Sequence, residues 1–177
     1  VKLRIGTIAA SVAVSALLLF GGWYSYQHWV VESPFEKTVK QFDGVNNVES
    51  NINRQQVALK LDLKPGTDLG ELVKYIQEDG KKWVGQRKLS FEIKDQSNRD
   101  LNRAWNKVLF PIAQAMENKQ YTDIHAALDQ LQQQNKSITA KAEMDDKNVY
   151  ITLTDGKASK FIILPRVPER MGAWPNA

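Results

Sequence analysis

From Ile5 to Tyr24 the chain carries no charged residue, and this stretch restricts the fold more than any other. A helix over it rises about 1.5 Å per residue and reaches roughly the 30 Å of a bilayer core. Lys2 and Arg4 precede it. Trp23, Tyr24, Tyr26 and Trp29 follow, ring side chains suited to the headgroup layer, and the first charge beyond them is Glu32. The pattern predicts a single transmembrane helix with its aromatic belt over 5–31. It places residues 1–4 in the cytoplasm as a stub and the rest of the chain outside the cell membrane. A cleaved signal peptide shares the basic start and apolar middle. Its cut needs small residues just after the apolar run, and here Leu17-Leu18-Leu19-Phe20 crowd the place. Gly6, Ala9, Ala10, Ala13 and Ala16 give the helix a small-residue face that permits close pairing in lipid.

About 145 of the 177 residues follow that segment, enough for one domain with a real core or two very small ones. The formal charge is +4. Setting Lys2 and Arg4 aside, the 24 Lys and Arg become 22 against 20 Asp and Glu, with the signs interspersed. Such a surface is solvated and is not a nucleic-acid footprint. With no cysteine there is no disulfide, thiolate metal site or cysteine nucleophile. An extracytoplasmic domain without disulfides suits a bacterial envelope.

Ser33-Pro34-Phe35-Glu36 has the form of a capping box with Pro at the first helical position. Phe35, Val39 and Phe42 continue at helical spacing until Gly44. Val48, Ser50 and Ile52 alternate. After Asn53-Arg54-Gln55-Gln56 comes a strict alternation of Val57, Leu59, Leu61 and Leu63 with Ala58, Lys60, Asp62 and Lys64. The two runs read as a hairpin with one buried face. Lys64-Pro65-Gly66-Thr67 is a turn. Asp68 caps the next helix, with Glu71 in the reciprocal position and Leu69, Leu72, Val73 and Ile76 inside; Trp83 and Val84 extend it past Gly80. Leu89, Phe91 and Ile93 form a third strand, parallel to its partner if the crossover follows the usual hand.

This αββαβ order, with Gly44-Val45-x-x-Val48 followed by Val57-x-Leu59-x-Leu61, resembles the small ring-building and BON-like modules of bacterial envelope and sporulation proteins. The resemblance covers residues 34–95. It implies an assembly role and carries no functional residue to transfer.

Ser97 or Asn98 opens a long helix with Leu101, Trp105, Val108, Leu109, Ile112, Ala113 and Met116 inside, and Pro111 predicts a kink in it. Thr122 caps another helix through Ile124, Ala127, Leu128 and Leu131. Three strands follow as an antiparallel meander: Ile138 to Met144, Val149 to Leu153, and Lys160 to Leu164. The turns between them are Asp145-Asp146-Lys147-Asn148 and Thr154-Asp155-Gly156-Lys157. From Pro165 the chain is Pro-rich and aperiodic.

No Gly-x-Ser-x-Gly elbow, His-Glu-x-x-His, Walker loop or dinucleotide fingerprint is present. His28 falls among the belt aromatics. His125, with Asp129 four residues on, reads as one side of a surface ion pair. Asp145 and Asp146 sit in a turn that favours Asp for backbone reasons, without the spaced acids of a calcium loop. The densest basic cluster is Lys81-Lys82-Trp83 with Arg87-Lys88. It suits contact with a partner protein or anionic lipid, although cations at a helix end also suit the helix dipole. Trp174 is an aromatic on an aperiodic end and points to docking.

The sequence therefore predicts an α+β protein: the transmembrane helix, an αββαβ unit over 32–95, a two-helix unit with its meander over 96–164, and a tail over 165–177. The predicted role is a non-catalytic binding or assembly module of a bacterial envelope, integral to the membrane. It has no cofactor or metal and no nucleic-acid partner, and it meets an envelope protein or copies of itself. The alternative is a sensor or ligand-binding domain for a wall or lipid component. The contact residues are Lys81, Lys82, Trp83, Arg87, Lys88 and Trp174, with Trp23, Tyr24, Tyr26 and Trp29 at the membrane interface.

Overall fold

The computed structural model describes residues 5–26 and 33–167, with side chains described from 12–22 and 34–167. The elements are α1 (Ile5–Tyr26), α2 (Ser33–Lys40), β1 (Val45–Ile52), β2 (Gln56–Leu63), α3 (Leu69–Asp79), α4 (Lys81–Val84), β3 (Lys88–Ile93), α5 (Arg99–Glu117), α6 (Tyr121–Gln134), β4 (Ile138–Met144), β5 (Asn148–Asp155) and β6 (Ala158–Pro165). The body is α+β, built on two three-stranded sheets ordered β1-β2-β3 and β4-β5-β6.

The expected membrane-crossing helix over 5–31 is corrected: among the described residues no helix is long and apolar enough to cross a membrane. The described side chains of α1 run from Val12 to Gly22. Among them Leu17, Leu18, Leu19 and Phe20 are exposed and join neither hydrophobic core. Of the interface aromatics, Trp29 lies outside the described residues, as do the side chains of Trp23, Tyr24 and Tyr26.

In the first sheet, alternation decides what is buried. β2 pairs antiparallel with β1 and parallel with β3. Val57, Leu59, Leu61 and Leu63 are essentially inaccessible and pack with Phe35 and Val39 of α2 and with Leu69, Leu72, Val73 and Ile76 of α3. Each such side chain contributes about 1.5–3 kcal/mol by leaving water. The opposite face is a charged lattice, with Lys60 3.9 Å from Glu92 and Lys94 2.8 Å from Asp62. Surface pairs of this kind add little stability.

The second sheet is covered on both sides. Val149, Ile151 and Leu153 of β5 pack on α5 and α6, together with Ile162 and Leu164 of β6. Tyr150, Phe161 and Ile163 point the other way, into the first unit's core. This joins the units, and β5 is buried over the consecutive run Val149 to Leu153 as a result. Ser159 marks the seam: it is fully buried, its Oγ accepts the Gly66 N–H at 3.3 Å, and its own N–H donates to Gln96 O at 3.2 Å.

Several local expectations change. α3 stops at Asp79, and α4 is a separate turn after Gly80. A side chain at Gly80 would run into the Phe35 ring and the Ile76 carbonyl, so close packing fixes glycine there. Glu36 accepts bonds from Ser50 N–H (2.7 Å) and Oγ (3.0 Å), tying α2 to β1. Of the two expected caps of α5 it is Asn98 that accepts from Leu101 N–H, at 2.8 Å, and Pro111 lies inside that helix. Thr122 is not the cap of α6: the helix begins at Tyr121 after Gln120, without a side-chain cap bond.

Candidate functional site

Charged side chains converge on a cleft of about 720 Å³ where the two units meet. One wall comes from the first unit: Glu78 of α3, Lys81 and Val84 of α4, Arg87, and Lys88, Leu89 and Phe91 of β3. The other comes from the β4–β5 turn, with Asp146, Lys147 and Asn148, and from the end of β6, with Pro165 and Val167. Four cations thus face two carboxylates around an apolar strip of Val84, Leu89 and Phe91. Low-dielectric walls lined by one dominant sign focus the field toward a ligand of the other sign.

Backbone bonds fix the basic wall. The Gly85 N–H donates to Lys81 O at 2.8 Å, and the Arg87 N–H donates to Val84 O at 3.1 Å. The Arg87 guanidinium donates from Nη1 to Trp83 O at 2.8 Å, so its charge is held over the end of α4. Lys81 takes part in no side-chain bond or ion pair among the described residues. It is exposed and lines the cleft.

The opposite wall is a hydrogen-bonded turn. Asp145 Oδ1 accepts the Lys147 and Asn148 N–H groups, each at 2.7 Å, and Oδ2 accepts the Tyr150 hydroxyl at 2.7 Å. Burial works against ionisation of Asp145, but the Tyr150 hydroxyl and the two amides outweigh it and hold the carboxyl below its ordinary range. Burial first, then that same hydrogen bond, pushes the Tyr150 phenol well above its ordinary value. Arg166, just past the end of β6, clamps the turn: Nη1 donates to Asp145 O at 2.7 Å, and the guanidinium lies 4.8 Å from the centre of the Tyr121 ring. Lys147 and Asp146 are presented by a rigid scaffold.

The structure separates the contact residues expected from sequence into two groups. Lys81, Arg87 and Lys88 line the cleft. Trp83 turns inward, half-buried, with its ring 5.4 Å from that of Phe35, and Lys82 lies over it at 3.9 Å. Those two support packing and do not line the cleft, because an indole gains more from burial against Phe35 than from water. Trp174 lies outside the described residues. Lys147, some sixty residues distant in sequence, carried no local signal; only the packing of β5 against the first unit brings it here.

A second feature is an apolar cavity of about 220 Å³ between α6 and β4, bordered by Thr122, His125, Glu143 and Met144. His125 makes no ion pair with Asp129. Glu143 reaches Asp68 at the start of α3, and the two carboxyl groups share a hydrogen bond. Burial first, then Asp68, pushes Glu143 up to about 7. Among the described residues no group of three or more His, Asp or Glu is placed to hold a metal ion. No known protein family, curated protein or solved structure matches the chain.

Proposed function

We propose that this protein is a non-catalytic binding module that docks an acidic surface of a protein partner in the cleft between its two α/β units. The observation that supports it most directly is the convergence of Lys81, Arg87, Lys88 and Lys147 around the apolar strip of Val84, Leu89 and Phe91. The cations come from both units, so a docked partner would bridge them. The cleft offers a positive rim with an apolar floor, the usual division between steering and anchoring at protein interfaces. No nucleophile with a paired base borders it, and its lining holds neither His nor Ser.

The test is binding of acidic ligands to the purified protein, followed by fluorescence anisotropy. Reversing Lys81, Arg87 and Lys147 to Glu replaces attraction with repulsion at three rim sites. At roughly 0.5–1 kcal/mol each, affinity should fall about 30-fold, and wild-type binding should weaken with salt. Salt-insensitive binding, or a triple variant that binds like the wild type, refutes the proposal. The cavity beside His125 supports a second reading, a site for a small apolar ligand. Its 220 Å³ falls short of the roughly 300 Å³ at which drug-sized pockets begin.

A further inference from the structure

We infer that the cleft's partner is an extended acidic segment that adds to the free edge of β3 as a fourth strand of the first sheet; this inference rests on the cleft being the docking site. Among the described residues β3 ends the first sheet and pairs with β2 alone. In the parallel register Lys88 lies opposite Gln56 and Phe91 opposite Leu59, and bonds to β2 run from Lys88 N–H to Gln55 O and from Lys94 N–H to Leu61 O. Backbone groups alternate sides along a strand, so Ser90 and Glu92 also point their N–H groups at β2. The N–H and C=O groups of Leu89, Phe91 and Ile93 then face away from the sheet, three donors and three acceptors in a row. Leu89 and Phe91 also border the cleft, which puts that backbone edge beside its cations.

An unpaired edge is a template for another strand, and main-chain bonds supply affinity whatever the partner's side chains. Selectivity has to come from elsewhere. Lys81 and Arg87 on the near wall and Lys147 on the far wall supply it, because they flank the path an added strand would take and favour carboxylates on it. Glu92 and Lys88, mixed in sign on the edge itself, discourage indiscriminate pairing between copies. The apolar strip receives the alternate side chains of the added strand, so the partner segment alternates acidic and apolar residues.

The experiment uses the protein with a capped octapeptide of alternating Glu and Val, read by residue-resolved amide hydrogen exchange. Binding should slow exchange at Leu89, Phe91 and Ile93 at least tenfold and leave Ser90 and Glu92, already bonded to β2, unchanged. N-methylation of the peptide at one alternate set of residues should abolish binding, and at the other set should leave it intact. A peptide that binds without this alternation overturns strand addition while leaving the cleft reading standing; a peptide that does not bind overturns both. Slow exchange at all three outward amides in the free protein would mean the edge is already covered, and would also overturn the inference. So would equal protection by phosphatidylglycerol vesicles, which would identify a lipid surface as the occupant.

Discussion

Replacing Gly44 with alanine tests how the first unit's hairpin is locked to the turn that starts α3. Gly44 has φ of +117°, a backbone region that costs a residue with a side chain about 1–3 kcal/mol. A methyl group there would also lie 2.6 Å from Thr67 Oγ1 and 2.7 Å from Thr67 Cγ2. Thr67 cannot easily step aside. It is buried, β-branched and stiff, and its hydroxyl donates to Lys64 O at 2.7 Å. Displacing it forfeits a hydrogen bond worth about 1 kcal/mol. Together these give a loss of about 3 kcal/mol for Gly44→Ala. With a urea dependence of about 1.5–2 kcal/mol/M, the unfolding midpoint should fall by roughly 1.5–2 M. Thr67→Ala alone should cost about 1 kcal/mol. The double variant should cost less than the sum of the two singles, because the steric conflict is counted once and then removed. A Gly44→Ala protein within about 1 kcal/mol of wild type, or strictly additive singles, refutes the reasoning.

Stability should also respond to pH through Glu143, which faces Asp68 and Glu71 of the first unit and Lys141 of its own strand. Its folded value of about 7 lies above its ordinary 4.5, so its contribution is complete below the ordinary value and is lost as pH rises through 7. Screening at this exposed carboxyl reduces the effect to about 1 kcal/mol. Denaturant melts from pH 5 to 8 should show that decline, and Glu143→Gln should flatten it; an unchanged slope in the variant excludes the pair as its source. Ser159→Ala should cost about 1–2 kcal/mol, since the Gly66 N–H loses its acceptor at the seam between the units, and urea unfolding measures it. Tyr150→Phe should raise the Asp145 pKa toward its ordinary value by removing the 2.7 Å hydroxyl donor, which carboxyl-carbon NMR titration reads directly; an unmoved pKa would show that the two turn amides suffice.

Local periodicity identified the strands and helices because burial in elements such as β2, α3 and α5 follows their own repeat, whereas β5 is buried on both faces. Val57 to Leu63 alternates with strand period and forms β2, and Asp68 and Asn98 cap the helices that follow them. The turn at Asp145 was equally legible, since Asp bonding the next amides needs nothing from elsewhere in the chain. Sequence placed Lys81, Arg87 and Lys88 together but could not separate them from Lys82 and Trp83. That distinction depends on which way the short α4 turns against Phe35. The apolar run near the start suggested a membrane-crossing helix over 5–31, which no helix among the described residues satisfies. Tyr150, Phe161 and Ile163 sit out of phase with the inner face of the meander, and their burial comes from the first unit packing on the sheet's second face. Contact between segments a hundred residues apart leaves no periodic trace in either one. The cleft is made by that contact, so its residue types were set by the sequence and its existence by the tertiary structure.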